Sequence, residues 1–209
     1  MEKDSKIRLF YIFPFLYVIS VYLLPVFLYL SEEYPVASDL MILPPVVFGV
    51  INIIVSAKFC RPENRIMLFN SSVLVKYALI PFFVIGGIML AAAFLISFIP
   101  VPFMIFVGPV ITIIGTIIGW LVLAFGSPYV IAYLCLSVRE HVCTKGIAIL
   151  HAILQFFFAL DVIDIMCLTF KERRWKKLTI FLIILLIAAI LLLCLLLVLG
   201  IIGILTQVN

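Results

Sequence analysis

Charge is what this sequence has least of. Only 11% of its 209 residues are Asp, Glu, Lys or Arg, where an ordinary soluble domain carries about 25%. With 67% hydrophobic residues and a mean hydropathy of +1.42, a globule of this size could not cover its outside with polar groups. Lipid must solvate that outside, and a soluble domain is excluded. The catalytic motifs are missing too. There is no His-Glu-x-x-His, no Gly-x-Ser-x-Gly, no phosphate-cradling glycine loop and no paired acidic metal box. Cys60, Cys135, Cys143, Cys167 and Cys194 form no C-x-x-C pair, which speaks against a disulfide framework and against thiol redox chemistry. Bases form no continuous stripe, so nucleic acid is not an expected partner. No cofactor is called for.

What is present is a series of long apolar runs. A helical span needs roughly 20 such residues to cross a hydrocarbon core about 30 Å thick. Spans are expected at about 9–30, 40–57, 73–99, 103–125 (extending to 138) and 178–205, with no room for a separate soluble domain. The first is read as an uncleaved helix, because its run exceeds a signal-peptide core and no small-residue cleavage site follows. Pro44 and Pro45 suit the first turn of the second span. Pro81 is expected to kink the third. Gly126-Ser127-Pro128 is the expected break after the fourth.

Basic side chains give the orientation. All fourteen lie before the first span, between the second and third (with Lys76 just inside the third), after the fourth or before the last; the turns at 31–39 and 100–102 hold none. Bases in short loops stay cytoplasmic, which predicts a plasma-membrane protein with its N-terminus inside. Residues 146–170 are the ambiguous piece. If they span, the densest basic cluster (Lys171, Arg173, Arg174, Lys176 and Lys177) falls outside. Asp161 and Asp164 would each cost about 2.5–3.5 kcal/mol near a helix centre. The expected fold is therefore an all-α polytopic bundle, one membrane domain over 1–209, with five spans plus an interfacial or re-entrant helix. Six spans is the alternative. Around Trp175 the basic cluster reads as a device that anchors the chain at the headgroups.

Three groups of residues can carry function. Gly108, Gly115, Gly119 and Gly126, with Thr112 beside them, fall within about 40° on one helix face. Small residues let membrane helices approach closely, so this stripe is a helix-packing seam, inside the chain or between subunits. Gly86-Gly87 and Ala91-Ala92-Ala93 are candidate facing surfaces. His151, Gln155, Asp161 and Asp164 form the second group, a candidate polar or ion site. As one continuous helix the first two residues share a face and the two Asp lie well round from it. A solvated helix face competes here with a transport site or a His–Asp catalytic pair. Lys76 is expected to snorkel to the headgroups, with an ion pair to Asp161 or Asp164 as the alternative. Glu140-His141-x-Cys143 reads as a polar loop, since zinc usually wants four ligands; no metal site is expected. Asn70-Ser71-Ser72 matches a glycosylation pattern but falls on the cytoplasmic side.

The stretch Leu150-His151-Ala152-Ile153-Leu154-Gln155-Phe156-Phe157, continued by Leu160-Asp161-Val162-Ile163-Asp164, resembles small uncharacterised multi-pass membrane proteins of Gram-positive bacteria. The resemblance implies a bacterial plasma-membrane protein and carries no activity with it. The leading functional expectation is a non-enzymatic membrane subunit or helper, partnered by the bilayer and by its own copies or another membrane protein. The alternative is a small proton- or cation-coupled transporter or channel using intramembrane carboxylates. A lipid- or peptide-processing enzyme built on His151 ranks third.

Overall fold

The computed structural model describes the backbone of residues 2–30, 33, 40, 42–98 and 103–208, and side chains within these except 2–9, 28, 104 and 193–208. Among the described residues the regular structure is all helical: α1 (Glu2–Tyr22), α2 (Leu24–Leu30), α3 (Leu43–Lys58), a short 3-10 turn (Pro62–Asn64), α4 (Arg65–Ile96), α5 (Met104–Phe125), α6 (Pro128–Arg139), α7 (Lys145–Leu154), α8 (Leu160–Lys171) and α9 (Lys176–Val208). Three stretches are long and apolar enough to cross a membrane: Phe10–Phe27, Pro62–Ile96 and Ile105–Arg139. α3 and α7 are shorter apolar helices, and α9 is a 33-residue helix. The turns expected at 31–39 and 100–102 lie almost wholly outside the described residues.

Proline places several boundaries. Pro25 stands just inside α2, beyond the single-residue break at Leu23. Prolines occupy the first turn of α3, as expected, and Pro128 opens α6 after the Gly126-Ser127 break. Pro81 does not end α4. The expected first span is broken at Leu23, and two further differences bear on the site. α4 begins at Arg65, eight residues before the expected Val73, because Asn70, Ser71 and Ser72 are helical and not part of the preceding loop. Residues 146–170, expected as an interfacial helix or a re-entrant hairpin, form two helices separated by residues 155–159, with Ala159 in the left-handed region (φ 65°).

The chain forms two compact units, Met1–Ile165 and Met166–Asn209. In the first, α4 packs on α5 and α6, and α1 packs on α3 and α4. The glycine seam is the α4–α5 contact. A Cβ at Gly108 would lie 2.5 Å from the Ala93 carbonyl oxygen, one at Gly115 would lie 2.4 Å from Leu90, and one at Gly126 would lie 3.3 Å from Val75. Thr112 Oγ1 donates to the Gly108 carbonyl at 2.8 Å and lies 3.4 Å from that of Leu90. Each step forward along α5 meets a step back along α4, so the pair is antiparallel. Ala93 supplies part of the facing surface, whereas Gly86 and Gly87 face open space and do not. Buried polar contacts tie in the other helices. The Tyr17 hydroxyl donates to the Val122 carbonyl (2.6 Å) and the Tyr129 hydroxyl to Asn52 Oδ1 (2.9 Å). Phe10 sits edge-on between Phe59 and Tyr129.

In the second unit α8 and α9 meet through a tight turn in which Arg173 and Trp175 have positive φ. Thr169 and Thr179 share a hydrogen bond at 2.9 Å beneath it. The bases Lys171, Arg173, Arg174, Lys176 and Lys177 are all exposed on this turn, with Trp175 among them.

A candidate ion site on a helical hairpin

The break at 155–159 determines where the polar residues go. His151 Nδ1 and Asp164 Oδ1 are in contact, and Gln155 Nε2 donates to Asp164 Oδ2 at 2.6 Å. Thirteen residues of continuous helix would hold His151 and Asp164 about 20 Å apart. Their contact means the chain reverses, and Leu160–Ile165 runs back beside α7 as the second arm of a hairpin. The expectation that the two Asp stand on a different face from His151 and Gln155 is thereby overturned. It assumed one unbroken wheel.

Several backbone polar groups of the tip are satisfied within the protein. Phe156 and Phe157 donate main-chain N–H groups to the carbonyls of Ile153 and Leu154, and Asp161 to that of Phe157. Trp120 Nε1 donates to the Phe156 carbonyl at 3.3 Å. The Phe158 ring packs edge-on against Phe83 at 5.8 Å and covers Gly119. Three aromatic residues therefore wedge the tip between α4 and α5.

Behind this wedge the second arm meets α4. Lys76 Nζ donates to Asp161 Oδ2 at 3.0 Å and to Ser127 Oγ at 2.9 Å. The Ser127 hydroxyl donates to the Leu123 carbonyl at 2.7 Å, and the Gln155 carbonyl lies 3.3 Å from it. Lys76 is 2% exposed, Asp161 1% and Asp164 3%. The expected snorkelling of Lys76 is overturned by this burial, and so is a solvated face for the two Asp. Lys76 lies eleven residues inside α4, about 16 Å from its start. His151, whose side chain is 18% exposed, is the most accessible ionisable member.

Ser127 is the member that sequence reasoning missed. It was read only as part of a helix break, yet that break places its hydroxyl at the junction of α5 and α6, opposite Lys76. Gln155 Oε1 is buried without a hydrogen-bond partner among the described groups. The amide cannot simply be turned round, because an oxygen facing an ionised Asp164 would set two acceptors against each other.

The remaining candidates fall elsewhere. Glu140 is paired with Arg65 Nε at 2.9 Å, and Arg65 also stacks over Tyr133. Cys60 Sγ points to the Ala132 carbonyl at 3.8 Å, and burial pushes its thiol pKa up. Asn70 lies within α4, its side-chain amide donating to Tyr11 Oη at 3.3 Å. The two cavities described are lined by residues outside the ionisable group. The larger, about 390 Å³, is a groove between α6 and α7.

Taken together, the described residues define an all-helical protein with three helices long and apolar enough to cross a membrane and a buried ionic cluster on a hairpin. The chain belongs to a family described as "Family of unknown function (DUF6652)", whose model matches residues 34–177. The match contains Lys76, Ser127 and the whole hairpin. No curated protein and no solved structure matches the chain.

Proposed function

We propose that this protein is a multi-pass plasma-membrane protein of proton- or cation-coupled transport. It has five spans, a cytoplasmic N-terminus and a re-entrant hairpin entered from the cytoplasm. The observation that carries the reading is the burial of Lys76, Asp161 and Asp164 in one connected group with Ser127, Gln155 and the part-exposed His151. With His151 neutral, one ammonium faces two carboxylates and one negative charge is left over. An uncompensated charge in a low-dielectric interior is costly. One proton on His151, or one monovalent cation, removes the excess. The unpartnered Gln155 Oε1 is an oxygen that such a cation or its water would use. Half-helices meeting inside the bilayer are a recurring way of housing ion sites in transporters.

Depth and charge support the topology. Lys76 lies eleven residues from Arg65, Ser127 twelve from Arg139 and Gln155 ten from Lys145. Each path is about 15–18 Å of helix, half of a core about 30 Å thick. A re-entrant hairpin in this topology would keep Lys145 and the basic run 171–177 cytoplasmic, as the distribution of bases favours. The helper reading drew on the absence of a catalytic motif and on the glycine stripe; the stripe packs within the chain, which leaves that reading to rest on the first alone.

The test is reconstitution in liposomes loaded with a pH-sensitive dye, challenged with Na+, K+ or Li+ pulses and with an imposed membrane potential. A cation- or voltage-dependent change in internal pH is expected, lost in Asp161→Asn and in Asp164→Asn. Behaviour no different from protein-free liposomes sinks the transport reading. Flux that survives both substitutions removes the carboxylates from it.

A further inference from the structure

The groove between α6 and α7 has a division of character along its length. Ile131, Leu134 and Cys135 on α6 face Ala148 and Ala152 on α7, an apolar channel. At one end stand Arg139, the last residue of α6, and Lys145, the first of α7. Both are exposed, and neither has a carboxylate partner among the described residues. The nearest acid in sequence, Glu140, is committed to Arg65. The start of α7 adds donors to the same end. Thr144 makes no side-chain cap there, and Gly146 leaves open space over the first turn. Two cations and a helix N-terminus at the mouth call for an anion; the apolar trough calls for hydrocarbon.

We infer that this groove is a binding site for one anionic phospholipid, its phosphate between Arg139 and Lys145 and one acyl chain along Ile131, Leu134 and Ala152. Basic pockets between membrane helices on the cytoplasmic side bind anionic headgroups by this combination of charge and apolar fit. The leaflet assigned to the lipid, the cytoplasmic one, rests on the topology proposed above. Binding measured in detergent does not, so the two fail separately.

The experiment is native mass spectrometry of the full chain in a neutral detergent, titrated in parallel with phosphatidylglycerol and phosphatidylcholine of matched acyl chains. One phosphatidylglycerol is expected to be retained with roughly tenfold preference. That preference is expected to vanish in Arg139→Gln/Lys145→Gln, and retention of either lipid to fall in Ala152→Phe. Phosphatidylglycerol is also expected to slow modification of Cys135 by a bulky maleimide. Equal retention of the two lipids by the unsubstituted protein overturns the site. So does an undiminished preference in the double Gln variant, which would move the contact to the bases at 171–177. Displacement of the lipid by glycerol phosphate, with no effect of Ala152→Phe, would mean that a free phosphate suffices and the groove is not a lipid site.

Discussion

Lys76 sits in the middle of an apolar helix without reaching water, and its charge is tolerable there only because Asp161 and Ser127 receive it. Removing one partner of a buried ion pair costs about 3–5 kcal/mol, whereas replacing both with apolar groups is often neutral. Lys76→Met is therefore expected to lower the thermal midpoint in detergent sharply, and Lys76→Met/Asp161→Leu to restore most of it. Single and double variants that melt together would mean the pair is not formed. Cys60 offers a check outside the spans. Its raised pKa reduces the thiolate fraction at a given pH, since only the thiolate reacts. In a variant retaining Cys60 alone, alkylation is expected to be slow and to keep accelerating as pH rises past the usual thiol range. At this scale the sequence named five of the six members of the ionic group, because ionisable residues in apolar runs stand out. It assigned Lys76 to the headgroups because the start of α4 was placed at Val73, one turn from the lysine. Ser127 gave no separable signal, since a hydroxyl before a proline reads first as punctuation.

Among the elements, the α4–α5 seam was legible: four glycines at spacings of seven, four and seven leave little choice about which face packs. Its energetic content can be tested by contrast. Gly108→Ala would bring a methyl to 2.5 Å from a main-chain oxygen and is expected to destabilise by about 1–3 kcal/mol through overpacking. Gly87→Ala meets nothing and is expected to be neutral or stabilising by up to about 1 kcal/mol, from helix propensity alone. Matched thermal unfolding of the two variants decides; equal losses would mean the seam does not form. The hairpin was half legible. Its charges argued against a sixth span, but Gln155-Phe156-Phe157-Phe158-Ala159 holds no glycine, proline or asparagine to mark a turn. The reversal there comes from tertiary contacts, with Trp120 satisfying a tip carbonyl and Phe83 receiving a ring. Local propensity carries no trace of either.

For the whole molecule the sharpest test is the side of the membrane that holds Asn209. Five spans with the N-terminus inside place it outside, where a single cysteine is expected to react with an impermeant reagent added to intact cells. A cytoplasmic Asn209, with an internal N-terminus, would mean that residues 146–170 cross. The Lys76–Asp161 pair also has a history in time. Its two partners are 85 residues apart in the chain, and synthesis proceeds at about 5–20 residues per second, so the lysine waits ~4–17 s for its carboxylate. On the proposed topology, α4 would carry a bare ammonium into lipid through that interval. The nascent helix is therefore expected to sit shallow, and to sink to its final depth only when the hairpin arrives. A chain stopped after Arg139 never receives the partner. Pulse-chase is expected to show it degraded quickly by membrane proteases, and Lys76→Leu to lengthen its life, so that a residue needed in the finished protein is a liability in the unfinished one.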